Sequence, residues 1–170
     1  MSRARLILVL AVLGVAVYTA AAGRPDPPPS AASASSGRVT RVVDGDTIHV
    51  MVGGRDEKVR YIGVDTPESV KPGTPVQCFA KRASAFNKRL VAGERVRLVR
   101  DAEKRDRYGR LLAYVYRTRD NLFVNATLVT GGYAVPLTIP PNVAHEKEFR
   151  MLASVARRKG RGLWSSCRSS

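Results

Sequence analysis

From residue 39 onward, apolar and polar side chains alternate. Val39, Val42 or Val43, Ile48 and Val50 fall at strand spacing, interrupted by Asp44-Gly45, a hairpin turn. Gly53-Gly54 marks a second turn, and "EKVRYIGV" reads as a third strand. The period then changes. "PVQCFAKRASAFNKRLVAG" places Val76, Phe79, Ala80, Ala83, Phe86, Leu90 and Val91 at helical spacing and stops at Gly93. "ERVRLVR" and "RLLAYVY" are two more strands, and "LFVNATLVTGG" is a short helix closed by Gly131 and Gly132. "AHEKEFRMLASVARRKG" is a last helix, with Phe149, Leu152 and Val155 or Ala156 on one face. The order is three strands, a helix, two strands and two helices, which is an α+β fold. Five short strands with a helix after the third is the order of a small OB-type β-barrel, here with three helices.

The first 36 residues stand outside this pattern. "MSRARLILVLAVLGVAVYTAAAG" has a basic start (Arg3, Arg5), an apolar run and small residues at Ala20 to Ala22. This is a secretory signal pattern over residues 1–22, with cleavage expected after Ala22 and an uncleaved, outward-facing membrane anchor as the alternative. Residues 23–36, rich in Pro, Ser and Ala, read as a disordered linker. The domain is expected to span 37–167, in a secreted protein.

Charge narrows the partners. The chain of 170 residues carries 29 Lys and Arg against 14 Asp and Glu, a formal net charge of +15. Such a field favours nucleic acid, anionic envelope polymers or anionic lipid, and by itself selects none of them. The leader takes away Arg3 and Arg5 and no acid, so the basic character belongs to the folded part.

Two cysteines in an exported chain read first as a disulfide, Cys78–Cys167. It closes a loop of roughly ninety residues, for which chain entropy gives about 4–5 kcal/mol as an upper figure. Two thiols with only His49 and His145 make a thin metal set. His49 is expected to be a half-exposed strand position and His145 a structural residue. Asn125-Ala126-Thr127 matches a glycosylation sequon but lies inside an expected helix, so it is read as chance.

One cluster asks for more than turn chemistry. Asp44 and Asp46 flank the hairpin glycine, "DTPE" (Asp65, Thr66, Pro67, Glu68) follows the third strand, and Arg60 lies five positions before Asp65. A basic stretch with Arg105, Arg107 and Arg110 precedes the fifth strand. Hydrolysis of a phosphodiester needs cations aimed at phosphate oxygens and a base for water. Arginine forks supply the first, a hard cation held by oxygen ligands adds to it, and a carboxylate supplies the second. Each piece alone is an ordinary turn or a surface ion pair; together they meet the whole list.

"VVDGDTIHV", "VRYIGVDTPES", "ASAF", "DRYGRLLAYVY", "PPNVAHE" and "GLW", in this order, resemble the staphylococcal nuclease (thermonuclease) family from about Val39 to Trp164. The resemblance implies an OB-like barrel that hydrolyses DNA and RNA with Ca²⁺. It maps the calcium ligands onto Asp46, Asp65 and the backbone carbonyl of Thr66, the general base onto Glu68, and the transition-state arginines onto Arg60 and Arg110. Arg107 and Tyr108 fall where the family contacts a terminal phosphate. A monomer is expected, no protein partner is implied, and a membrane enters only if the leader is retained. In place of the family's base-packing tyrosines the segment "YAVPLTIPPN" offers Leu137 and Ile139, with Tyr133 as a partial substitute. Two other readings stand beside the nuclease: a binding module that has lost catalysis, which would be expected to lack Glu68, Arg60 or Arg110, and a cationic envelope protein, which has no use for the acidic cluster.

Overall fold

The structure, a computed structural model, describes residues 34–68, 73 and 75–167. The expected leader and most of the linker lie outside the described residues. Among the described residues no helix is long and apolar enough to cross a membrane.

Five strands form the barrel: β1 (Ala34–Val42), β2 (Thr47–Val52), β3 (Arg55–Tyr61), β5 (Arg95–Val99) and β6 (Leu111–Arg117), with β4 (Val64–Asp65) between β3 and the first helix. The order is β3-β2-β1-β5-β6, and a parallel β3–β6 pairing of Val59 with Leu111 and Tyr61 with Ala113 closes the ring. That closure satisfies the backbone of both would-be edge strands. The expected α+β barrel is the observed one. A two-residue strand β7 (Leu122–Phe123) extends the sheet beside β6, and β8 (Val135–Pro136) pairs with β4. The helices are α1 (Ala80–Val91), α2 (Val124–Thr130) and α3 (Glu146–Arg158), followed by a single turn, α4 (Leu163–Ser166).

Alternation along the strands points Ile48, Val50, Val59, Tyr61, Val96 and Leu98 inward, where they are fully buried. Each such side chain contributes about 1.5–3 kcal/mol on leaving water. The buried face of α3 is Phe149, Ala153 and Ala156, with Leu152 partly covered, close to the helical face read from the sequence. Buried Asn125 laces the layers together. Asn125 Nδ2 donates to the Ile62 carbonyl (2.8 Å) and its Oδ1 accepts from the Val115 N–H (2.9 Å). Fully buried and doubly bonded, Asn125 is a structural residue and no glycan acceptor in the folded protein.

Three boundaries differ from the sequence reading. The first strand begins at Ala34, because Ala34–Gly37 pairs with Val99–Val96 of β5; residues 34–36 are therefore strand. The third strand stops at Tyr61 and the chain kinks at Gly63, whose φ is 77°. A Cβ at Gly63 would come within 2.5 Å of the Phe149 ring, so α3 packs directly on the kink. The helix expected from Val76 starts only at Ala80, after Phe79 in the left-handed region (φ 69°), and Val76 is exposed.

Arg117, buried at the end of β6, donates from Nε and Nη2 to the Asp120 carboxylate and from Nη1 to the Leu90 carbonyl, tying the barrel to the end of α1. The hydrogen bonds from Arg117 hold the Asp120 carboxyl down at about 2, below its ordinary 3.8. A depressed folded-state pKa stabilises above the unfolded value, and this contribution fades as pH falls from about 3.8 through about 2. Asp120→Asn is expected to flatten that part of the acid limb, read as denaturation midpoint against pH, while wild type falls more steeply.

Candidate active site

The site begins in the turn between β1 and β2. Asp44 Oδ1 accepts from the Asp46 N–H (3.0 Å), and the Asp44 carbonyl accepts from Asn87 Nδ2 on α1 (3.0 Å). Asn87 is fully buried, and its Oδ1 also takes the Tyr61 hydroxyl (3.0 Å). Helix and barrel thus fix the turn from below.

Asp46, only 5% exposed, is the hub. Its Oδ2 accepts from both the Thr66 N–H (2.8 Å) and the Thr66 hydroxyl (2.9 Å), and its Oδ1 accepts from the Thr47 hydroxyl (3.1 Å). Arg60 Nε lies 3.2 Å from Asp46 Oδ1, and Arg60 Nη2 donates to Asp65 Oδ1 at 2.9 Å. Arg60 is oriented by its other arm, where Nη1 donates to the Tyr61 (2.9 Å) and Val64 (2.8 Å) carbonyls. The guanidinium is held by backbone and presents its Nε–Nη2 edge to two carboxylates, which suits its planar fork.

Arg110 reaches the same place from the loop before β6. Its Nε donates to Asp106 Oδ2 (2.6 Å), and its N–H to Asp106 Oδ1 (3.0 Å). Burial opposes ionisation of Asp106, but the bonds from Arg110 outweigh it and hold the carboxyl below its ordinary range. Asp106 is a supporting residue that the sequence reading passed over, although it sits inside the "RDRYGR" stretch.

Asp44, Asp46, Asp65, Glu68, Arg60 and Arg110 line one polar cleft of about 210 Å³, together with Thr66. Arg60 and Arg110 also line a larger neighbouring cleft of about 430 Å³, walled by Tyr108, Leu112, Leu137 and Ile139, with Arg107 at its edge. The sequence-expected catalytic, metal and substrate residues are therefore distributed over two adjoining clefts. Arg107 Nη2 donates to the Tyr108 hydroxyl (2.6 Å) and its guanidinium lies over that ring. Arg105 is turned elsewhere, forked onto Glu57.

Tyr133 is corrected by the structure: its ring stacks on Phe86 at 3.9 Å and meets Phe79 at 5.4 Å, so it packs on α1 and lines neither cleft. His145 is structural, packed between Tyr114 and Phe123 and bonded to Glu148. His49, expected to be half-exposed, is a strand residue only 16% exposed at its side chain, bonded to Asp56 and Arg41. The disulfide Cys78–Cys167 is formed.

The acids crowd one another. Burial, then the neighbouring Asp46 charge, pushes the Asp44 carboxyl up to about 6. Burial raises Asp65 as well, against the pull of Arg60, with Asp46 and Glu68 adding to the rise. Crowded, buried carboxylates favour positive charge nearby, and Arg60 and Arg110 supply part of it. The Asp46 and Asp65 carboxylates with the Thr66 carbonyl are the hard oxygens that Ca²⁺ or Mg²⁺ requires. Among the described residues no group of three or more His, Cys, Asp or Glu could hold an ion by itself. A cation here would be held by Asp46, Asp65 and the Thr66 carbonyl. The residues fit such an ion.

A closed five-stranded barrel with two arginines and a carboxylate cluster sharing one cleft defines a class: an OB-type domain with a densely charged polar cleft. The family model "Staphylococcal nuclease homologue" matches residues 58–166. The chain is 46% identical over 126 residues to a thermonuclease of Staphylococcus intermedius, covering 74% of each chain. It is 41% identical over 129 residues to a thermonuclease of Staphylococcus hyicus, covering 76% of this chain and 75% of that one. The endonuclease YncB of Bacillus subtilis (strain 168) is 42% identical over 127 residues, which cover 74% of this chain and 59% of that protein. The chain belongs to the staphylococcal nuclease family.

Gly45 provides a test of how the site is packed. A Cβ there would lie 2.6–2.7 Å from the Thr66 side chain, closer than real Cβ contacts. Gly45→Ala is expected to push Thr66 off Asp46, destabilise the fold by roughly 1–3 kcal/mol and remove most activity; denaturant titration and a nuclease assay report both.

Proposed function

We propose that this protein is an exported, Ca²⁺-dependent nuclease that hydrolyses phosphodiester bonds of DNA and RNA with little sequence preference, working as a monomer. The observation that carries the reading is the polar cleft in which Arg60, Arg110, Glu68, Asp46 and Asp65 meet, sharing both arginines with an apolar cleft. Kinship with thermonucleases and an endonuclease supports a phosphodiester hydrolase acting on nucleic acid. Export is supported by the leader pattern and by a disulfide, which persists in oxidising compartments.

In this reading the substrate phosphate lies between Arg60 and Arg110, whose forks hold the oxygens that gain charge as water attacks. Glu68 takes the proton of that water. Asp46, Asp65 and the Thr66 carbonyl hold Ca²⁺, which when bound supplies a Lewis acid to the phosphate oxygens. Asp106 keeps the Arg110 fork oriented, and Arg60 is held by its carbonyl contacts. Arg107 and Tyr108 engage a terminal phosphate. A binding module without catalysis explains the basic surface equally well but leaves Glu68 without a purpose.

The deciding assay is digestion of single-stranded DNA and of RNA by the purified protein with millimolar Ca²⁺ and then with excess chelator. Cleavage that vanishes with chelator is expected, and Glu68→Gln or Arg110→Ala should each lower kcat by at least about 100-fold in a folded protein. DNA bound but uncut in both conditions would instead establish the binding module. Because the surface is strongly basic, substrate affinity is expected to weaken with salt more steeply than the chemical step. A salt-independent KM would show that the field plays no part in capture.

A further inference from the structure

We infer that Gln77 is a positioning residue for Glu68, and that the Cys78–Cys167 disulfide holds Gln77 in place, so that the disulfide supports turnover as well as stability. The inference rests on Glu68 being the base. Glu68 lies beyond β4, outside any strand or helix. A catalytic carboxylate so placed still has to be held to a fraction of an ångström.

Two hydrogen bonds join its backbone to Gln77. The Gln77 N–H donates to the Glu68 carbonyl (3.0 Å), and the Glu68 N–H donates to Gln77 Oε1 (2.8 Å). The second bond depends on the side chain: without a carbonyl at that position the Glu68 N–H loses this acceptor. Gln77 is exposed and adds nothing to the hydrophobic core, so this clamp has little to do with global stability.

What fixes Gln77 is its neighbour. Cys78 is bonded to Cys167, 89 positions away. The Cys167 N–H donates to the Leu163 carbonyl and the Leu163 N–H to the Gly132 carbonyl, both at 2.9 Å. Gly132 and Gly162 meet so closely that a Cβ on Gly162 would fall 2.3 Å from the Gly132 oxygen, which seats α4 firmly against the end of α2. Glu68 is thereby anchored on both sides. Upstream, Thr66 is bonded to Asp46 in the barrel; downstream, Gln77 and the disulfide lead to α4 and α2. The chain-entropy benefit of a cross-link depends on the loop it closes, not on which functional group stands beside it. Its position one residue from the clamp is what gives it a catalytic consequence.

The test measures kcat and KM on single-stranded DNA for Gln77→Met, nearly isosteric but without the acceptor, and for Gln77→Glu, which keeps one. Gln77→Met is also made in a Glu68→Gln background, and a Cys78→Ser/Cys167→Ser variant is assayed at a temperature where circular dichroism shows it folded. Gln77→Met should lower kcat roughly 10- to 100-fold with KM and melting temperature little changed, and Gln77→Glu should recover most of the loss. In the Glu68→Gln background the same change should cost nothing further, and the folded double-serine variant should also lose kcat. Full kcat in Gln77→Met, or an equal loss with and without Glu68, overturns the positioning role. Full kcat in the folded double-serine variant overturns the part given to the disulfide. Unimpaired Glu68→Gln would instead remove the base assignment itself, an outcome distinct from failure at Gln77.

Discussion

The Asp46 carboxylate is the constraint on which the site depends. It is nearly out of water and carries contacts from three segments: Thr47 at the start of β2, Arg60 near the end of β3 and Thr66 beyond β4. A buried carboxylate is tolerated only when its oxygens are occupied, and losing one partner of such a pair typically costs about 3–5 kcal/mol. The turn, the strand and the DTPE segment are therefore fixed relative to one another by a single charge. The backbone agrees, since the Tyr61 N–H donates to the Asp46 carbonyl at 2.9 Å. The same geometry that satisfies Asp46 brings Asp65, Glu68 and both arginines to one cleft.

Crowding acids in a protein with so large a cationic excess answers a specific electrostatic problem. A basic surface attracts polyanion but cannot by itself move a proton from water, since arginine does not release one. A carboxylate can, yet in the proposed reaction it would repel the phosphate. Arg60 eases this by facing Asp46 and Asp65 directly, and Arg110 adds a second cation, itself turned by Asp106. The remaining imbalance shows in the raised Asp44 and Asp65 carboxyls, beside which the proposed cation would sit.

The barrel was legible because its five strands alternate cleanly and its turns carry Gly and Asp. The candidate site was legible because DGDT, DTPE and YGR each break the local pattern with more charge than a turn needs. What was not legible depends on contacts between distant residues. The kink at Gly63 exists because Phe149, 86 positions later, presses on it, and no local period announces that. Asn87 falls on the buried stripe of α1, where a polar residue among apolar ones was the available signal, but its partners Tyr61 and Asp44 could not be read from it. The helix starts at Ala80 and not at Val76, although Val76 matches the period, because the chain there is committed to Glu68 and Cys167. Tyr133 shows the opposite error: an aromatic near the substrate segment in sequence is a core stacking partner in space.

The fate of Tyr133 bears on how a nucleobase would be met. The larger cleft is lined by Leu137 and Ile139, both well exposed, and by Tyr108 from the loop before β6. Leu137 is held there by its N–H on the Gly63 carbonyl (3.0 Å), so the kink that seats α3 also sets the wall of the cleft. Aliphatic walls bury a base without the face-to-face contact worth about 1–3 kcal/mol on an aromatic ring. They also carry no donor or acceptor with which to read its edge. In the proposed nuclease these two positions would leave more of the binding energy to phosphate and sugar, which every nucleotide presents alike. Weak sequence preference would follow from these two side chains, and the basic surface would take on a larger share of capture than if rings stood at positions 137 and 139.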